Sequence, residues 1–206
     1  MKHVVIITYC LSFIFSTTWG QEKPKQTNEI GVYGGIGFNR ITADGAVVNL
    51  AYKVNNQKNT VASFGLFYAH SFRPFAKLRV GAAGTYMFGN DFTETSKHTS
   101  FHVEVPVQFQ YILNPENKIQ VYFGIGVSIN RWFYTTIKTN NIPDNTKRNA
   151  KAGLEAIPVV LLGMNARVSE HVSIFLQPEY RPMAISGKSN VRLKNFIAHV
   201  GVSYQL

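Results

Sequence analysis

The segment from Phe101 to Tyr111 alternates strictly between apolar and polar side chains, and this pattern limits what the chain can fold into. Its odd positions are Phe, Val, Val, Val, Phe and Tyr, whereas its even positions are His, Glu, Pro, Gln and Gln. Side chains alternate across a β-strand, so one face of this segment is apolar and the other carries ionisable and amide groups. The alternation predicts a strand with two chemically different faces, but by itself it does not say which face meets water.

Amphipathic runs of strand length recur along the chain and predict eight strands in all. The other seven are Ile30–Phe38, Ala62–His70, Ala76–Phe88, Ile119–Ile129, Glu155–Arg167, Val172–Arg181 and Phe196–Leu206. The run Glu155–Arg167 is apolar on both faces. Ala46–Val54 also alternates, and we expect it to lie in a long first loop, Ile41–Thr60. If it were counted as a barrel strand, a ten-stranded barrel or a soluble sandwich would be an alternative.

The N-terminus predicts export. Lys2 and His3 precede the apolar run Val4–Phe15, which is shorter than the roughly 20 residues of a membrane-spanning helix. We expect a signal peptide over residues 1–20, cleaved between Gly20 and Gln21, and one β-barrel domain over residues 21–206. Cys10 leaves with the signal, so the mature chain has no cysteine. The formal charge falls from +10 to +9 without Lys2, and export argues against nucleic acid as the basic chain's partner.

Short and long connections alternate between the predicted strands. The short ones are Ser71–Pro74, Asn114–Asn117 and Ser169–Glu170, whereas residues 89–100, 135–154 and 184–193 are longer and polar. Transmembrane barrels of bacteria combine short periplasmic turns with longer outer loops. The pattern therefore favours an all-β, up-and-down, eight-stranded antiparallel transmembrane barrel.

Three features favour lipid rather than water on the apolar face. Aromatic residues cluster near predicted strand ends, as interfacial girdles do. The polar faces are rich in Gly, Ser and Gln, which suits a narrow filled lumen, and the chain stops at its last amphipathic strand.

Prolines 106, 158 and 178 each remove a ladder donor, so we expect bulges or barrel rims there.

The closing segment Asn195–Leu206 resembles the C-terminal signature of outer-membrane barrels, with alternating apolar residues and Tyr204 two places before an apolar end. The opening segment Gly31–Phe38 is similar to the first strand of the small outer-membrane β-barrel proteins of Gram-negative bacteria (OmpA/OmpX-like, "porin family"). The family usually ends in an aromatic residue, whereas this chain ends in Leu206. The resemblance implies location in the bacterial outer membrane and recognition of the C-terminal strand by the barrel-assembly machinery. It implies no activity.

Charged side chains on the polar faces are the first candidate site. They are Lys77, Arg79, His102, Glu104, Glu179, Arg181 and His199. Counting residues from the short turns places Glu104, Glu179, Arg181 and His199 at similar heights. Side chains fill the interior of an eight-stranded barrel, and unpaired charges there are very costly. We therefore predict an interior charge network.

A basic cluster in the third long loop is the candidate binding site. Lys138, Lys147, Arg148 and Lys151 surround Asp144, and Trp132, Phe133 and Tyr134 lie at its base. Cations beside an aromatic girdle suit the phosphates of lipopolysaccharide. A solvated basic loop is the alternative.

We expect a monomeric, non-enzymatic barrel that has outer-membrane lipids and lipopolysaccharide as partners. Its expected role is membrane integrity, surface adhesion or assistance to secretion. The spacing of histidines and acids predicts no metal site, no catalytic site and no cofactor. The alternatives are a lipid A-modifying enzyme, using His98 with Ser96 and Glu94 or His171 with Ser169 and Glu170, and a small low-conductance channel.

Overall fold

The computed structural model describes residues 27–43, 57–90, 96–139, 146–148, 154–182 and 191–206, and these form one continuous antiparallel sheet. The strands are β1 (Thr27–Ala43), β2 (Gln57–Arg73), β3 (Ala76–Asn90), β4 (Ser96–Ile112), β5 (Ile119–Thr139), β6 (Thr146–Arg148), β7 (Leu154–Arg167), β8 (Val172–Arg181) and β9 (Val191–Gln205). Each of the eight predicted runs lies in one long strand, except that Leu206 follows the end of β9.

The sheet closes on itself. β1 pairs with β2 on one side and with β9 on the other, and β4 pairs with β5 to complete the circle. The eight long strands follow one another around the barrel in chain order, which confirms the predicted up-and-down, eight-stranded antiparallel barrel. The described part of the chain contains no helix long and apolar enough to cross a membrane.

The segment Phe101–Tyr111 on β4 has its apolar side chains outside the barrel and its polar side chains inside, the reverse of the arrangement in a soluble protein. Val103, Val105 and Phe109 are 36–42 % exposed, whereas His102 and Glu104 are each 1 % exposed. Every other strand of the barrel also has exposed apolar residues on its outer face. A soluble protein of this size rarely exposes apolar residues as a continuous belt, so this surface is built for an apolar surrounding.

The barrel has two unlike ends. The tight connections β2–β3, β4–β5 and β7–β8 lie at one end, called here the turn end, and Leu206 donates its backbone N–H to Asn28 there. At the opposite, loop end, β5 is 21 residues long and pairs with the three-residue strand β6, which was not predicted. The ambiguous segment Ala46–Val54 lies outside the described residues.

Aromatic rings gather near both ends of the outer surface. Near the turn end Tyr111 lies 5.5 Å from Phe75 and 5.4 Å from Phe123, measured between ring centroids. Towards the loop end Phe38 stacks on Phe196 at 5.6 Å, and Phe101 lies 6.1 Å from Phe133. These two bands have the positions expected of interfacial girdles.

The prolines do not produce the expected bulges. Ladder pairs are missing at Pro106 between β3 and β4 and at Pro178 between β7 and β8, but the register is the same on either side of each gap. The register shifts lie elsewhere, at Ser71/Arg73 and at Phe101/His102. Each proline removes one donor from the ladder, and the neighbouring pairs hold the strand in place.

Candidate functional site

Arg181 on β8 binds two buried carboxylates inside the barrel. Its Nη1 lies 2.5 Å from Glu104 Oε2, and its Nη2 lies 3.0 Å from Glu179 Oε2. Glu104 also accepts hydrogen bonds from Thr85 Oγ1 at 2.9 Å and from Ser128 Oγ at 2.8 Å. The three ionised groups are at most 2 % exposed, so every charge in this cluster is satisfied by protein atoms.

Gln177 connects this cluster to the next layer towards the turn end. Its Nε2 donates to Glu179 Oε1 at 2.8 Å, and its Oε1 accepts from Arg79 Nη1 at 3.0 Å and Tyr122 OH at 2.9 Å. These bonds use both the donor and the acceptor sides of the amide. Gln177 was not among the predicted site residues, although its place on the inward face of β8 is visible in the alternation.

Arg79 lies in a box of aromatic rings rather than beside a carboxylate. Its guanidinium carbon is 3.6 Å from the ring centroid of Phe67, 4.8 Å from that of Phe175 and 5.1 Å from that of Tyr33. Aromatic faces attract a desolvated cation, which compensates part of the cost of burying it. Arg79 and the three rings are all buried, so side chains fill the lumen at this level.

A polar cup of about 360 Å³ opens at the turn end, below the aromatic box. Lys77 on β3 donates to Glu29 on β1 at 2.6 Å within it, and the lining also includes Glu116, Arg167 and several hydroxyl and amide groups. Inward of Glu116 and Arg167, the described lumen up to Arg181 contains three cations, Lys77, Arg79 and Arg181, and three carboxylates, Glu29, Glu104 and Glu179. The formal charges of these six side chains cancel.

A serine, a histidine and an acid meet inside the barrel. Ser63 Oγ lies 2.9 Å from His199 Nε2, and His199 Nδ1 lies 3.3 Å from Glu179 Oε1, although this second contact is not a well-directed hydrogen bond. Ser63, His199 and Glu179 are thus arranged like the nucleophile, the base and the orienting acid of a catalytic triad. However, the Tyr33 ring lies 4.9 Å from the His199 ring, and Ser63 is only 5 % exposed. A substrate has no room to reach this hydroxyl in the described structure.

An apolar collar lies on the loop-end side of Ser63 and His199. Val61, Met87 and Ile197 form it, and each is at most 2 % exposed. Beyond it the register places Asn195, Asn39 and Asn59 side by side on β9, β1 and β2. The described lumen is thus filled in layers from the aromatic box to these asparagines.

The structure therefore separates the seven predicted interior residues. Glu104, Glu179, Arg181 and His199 meet in one cluster, Arg79 reaches it only through Gln177, and Lys77 pairs with Glu29 in the cup. His102 is buried on β4, two residues from Glu104. The sequence did not indicate the aromatic box, because Phe67 and Phe175 are apolar residues on predominantly polar faces.

The loop candidates have different outcomes. Lys138 on β5 lies directly opposite Lys97 on β4, and Lys147 and Arg148 form part of β6. Lys151 and Glu94 lie outside the described residues. In the β7–β8 turn, His171 Nδ1 lies 3.3 Å from the Gln205 carbonyl oxygen, and Ser169 Oγ accepts from Val172 N–H. Backbone groups, rather than each other, are thus the partners of His171 and Ser169.

Comparison with known proteins shows the fold. No family model matches the chain, and no curated protein sequence matches it. Among solved structures, Neisserial surface protein A is 13 % identical with a TM-score of 0.57, covering 86 % of this chain and 97 % of that one. The outer membrane protein OprG of Pseudomonas aeruginosa is 16 % identical with a TM-score of 0.51, covering 90 % and 99 %.

A third similar structure is Ail, the attachment invasion locus protein of Yersinia pestis. It is 14 % identical with a TM-score of 0.50, and the match covers 87 % of this chain and 99 % of that one. Identities this low establish shape and topology rather than shared activity. The chain has the fold of the small eight-stranded outer-membrane β-barrels, the class that its first and last strands resemble.

Proposed function

We propose that this protein is an outer-membrane barrel with a structural or interaction role, exported by its N-terminal segment and oriented with the turn end in the periplasm. The observation that carries the proposal is the combination of an apolar outer wall with a lumen filled by paired charges. A wall of this kind needs lipid, and a lumen of this kind offers neither a wide pore nor an open active site.

The strands beyond the loop-end girdle supply the interaction surface. β4 and β5 have 17 and 21 residues, whereas a tilted strand crosses a bilayer in about 9–11 residues. Their register places Lys97 opposite Lys138, with Lys147 and Arg148 on the adjoining β6. Like charges directly opposite each other destabilise a sheet. An anionic partner removes that cost, and we propose the phosphates of lipopolysaccharide as that partner.

Membrane insertion is tested first, because every other part of the proposal depends on it. We expect recovery in the outer-membrane fraction and a mobility on SDS gels that changes on boiling, since folded barrels resist the detergent at room temperature. Recovery as a soluble periplasmic protein with unchanged mobility would exclude the proposal.

A comparison of lipid A from a deletion strain and its parent separates a scaffold from a lipid-modifying enzyme. We expect identical acyl-chain patterns by mass spectrometry, because the buried Ser63 and the backbone-bonded Ser169 lack the access or the partner that a nucleophile needs. An acyl-chain difference that returns to the parental pattern on complementation would favour the enzyme instead.

A further inference from the structure

The outer wall of the barrel has a groove on the side formed by β9, β1, β2 and β3. A space of about 770 Å³ near the turn end adjoins one of about 520 Å³ further along, and the two share Val32, Leu66 and Ala82 in their linings. Phe64, Phe101 and Val103 form its walls towards the loop end. On the opposite side, the outer positions carry bulky residues such as Leu162, Met164 and Leu176.

The small outward-facing side chain of Ala82 leaves the groove unfilled, whereas Gly31 and Gly81 contribute only backbone to its floor, because their own side-chain positions face the barrel interior. A Cβ on Gly31 would collide with the Phe67 ring of the aromatic box, and a Cβ on Gly81 would lie 2.8 Å from the Leu66 carbonyl oxygen. Ala82 has no such constraint, since its methyl group points outwards and is exposed. A larger side chain fits there, so the groove can be filled without disturbing the interior.

The groove ends at a polar rim. Tyr68, which lines it, donates its hydroxyl to Asn28 Oδ1 at 2.8 Å, and His70 Nδ1 lies 2.8 Å from the same oxygen. Tyr204, also in the lining, stacks on the exposed imidazole of His171 at 5.6 Å. Arg73 is exposed in the nearby β2–β3 turn. Glu29 on β1 is turned inwards to Lys77, so this rim presents amide, imidazole and guanidinium groups together with the exposed carboxylate of Glu170 beside His171.

We propose that this groove is a phospholipid site, in which an acyl chain lies along Val32, Leu66 and Ala82 and the phosphate meets the rim at Asn28, His70 and His171. An unfilled groove in a lipid-facing wall forfeits dispersion contacts, and an acyl chain restores them. The occupant is a phospholipid of the periplasmic leaflet, because the polar rim lies at the turn end. This inference rests on the proposed membrane insertion and orientation.

Photo-crosslinking tests the site. The protein is folded into vesicles of phosphatidylethanolamine and phosphatidylglycerol that contain a trace of phosphatidylethanolamine with a diazirine in its acyl chain. After irradiation, mass spectrometry locates the label. We expect it to concentrate on β1, β2 and β3, and to fall about fivefold there in Ala82→Phe, a change in binding of about 1 kcal/mol. Ala156→Phe is the matched control, since Ala156 is an exposed outer alanine of β7.

The outcomes distinguish a failure of the phospholipid site from a failure of the proposed membrane insertion. A barrel that shows the heat-dependent gel shift but is labelled evenly around its belt, or equally in Ala82→Phe, would overturn the phospholipid site alone. The same holds if a diazirine analogue of lipid A labels the groove better than the phospholipid does. A chain that fails to insert into the vesicles would overturn the site together with the proposed function. A smaller loss in His70→Ala, with the remaining label still confined to the groove, supports the rim as the phosphate contact.

Discussion

Arg181 lies between two buried carboxylates, and its guanidinium group donates to both. Placing three ionised groups in a lumen costs several kcal/mol per ion, and only good geometry with further hydrogen bonds offsets that cost. Thr85 and Ser128 complete the shell of Glu104, while Gln108 and Gln177 complete that of Glu179. The cost of burying these ions is therefore offset only while all of them are present, and removing one leaves another charged group without its partner.

Replacing Arg181 with methionine leaves Glu104 and Glu179 buried together without a cation. We expect Arg181→Met to reduce the free energy of unfolding by about 3–5 kcal/mol, measured by urea titration of the folded barrel in detergent. Arg131→Met is the control, because Arg131 is exposed on the outer face of β5. The triple variant with Glu104→Gln and Glu179→Gln should recover most of the loss. If Arg181→Met alone behaved like the control, the cluster would not contribute to stability.

Two neighbouring glycines on β1 give a sharp comparison of interior and exterior space. A Cβ on Gly35 would collide with the His199 ring and lie 2.7 Å from Ser63 Oγ, whereas a Cβ on Gly34 would meet nothing closer than 3.9 Å. We expect Gly35→Ala to destabilise the barrel by about 1–3 kcal/mol through overpacking. Gly34→Ala should be neutral or stabilising by up to about 1 kcal/mol. Equal urea midpoints for the two variants would contradict this packing.

Among the elements, β8 shows how a strand tolerates a proline inside a closed sheet. The pairs Leu162↔Pro178 and Gly163↔Gln177 are missing between β7 and β8, so Pro178 occupies a position that would donate to the Leu162 carbonyl. Pro158 is different, because its pairing with Val127 on β5 is unbroken. On its other side the β7–β8 register places it opposite Pro182, one residue beyond the end of β8, where no ladder pair is formed.

This contrast predicts different responses to the same substitution. Pro178→Val adds a backbone donor opposite Leu162, and we expect it to raise the free energy of unfolding by about 1 kcal/mol. Pro158→Val adds a donor opposite Pro182, beyond the last residue of β8, where no ladder pair is formed, and should give no such gain. Both prolines lie on the outer face, so the valine side chain meets the same surroundings in each variant. A gain in Pro158→Val as large as that in Pro178→Val would contradict this reading of the ladder.

The elements also show what the sequence could establish. The amphipathic runs located all eight strands, and alternation assigned the faces of every one except Glu155–Arg167, which is apolar on both faces. Counting from the turns placed Glu104, Glu179 and Arg181 at one height. It could not pair Ser63 with His199, which are 136 residues apart, because cross-lumen contacts depend on the stagger between strands. The short strand β6 has only three residues, too few for a periodicity to be recognised.

At the scale of the whole molecule, the lumen is divided into an accessible part and a filled part. The polar cup opens at the turn end and stops below Arg79 and its aromatic box. Beyond the box, Gln177, Glu104 and Arg181 are at most 1 % exposed, and the collar of Val61, Met87 and Ile197 follows. A continuous water path would have to break both a charge cluster and an apolar layer, so a channel requires more than the movement of one side chain.

Cysteine labelling measures where the accessible part of the lumen ends and the filled part begins. The chain without residues 1–20 has no cysteine, so single cysteines report one position each. We expect a membrane-impermeant thiol reagent to modify Ser173→Cys, which lines the cup, and to leave Ser128→Cys, at 0 % exposure, unmodified until the barrel is unfolded. Planar-bilayer recordings of the same preparations should show no stepwise currents. Modification of folded Ser128→Cys accompanied by such currents would establish a conducting path past Arg181, and the barrel would then have to be regarded as a channel.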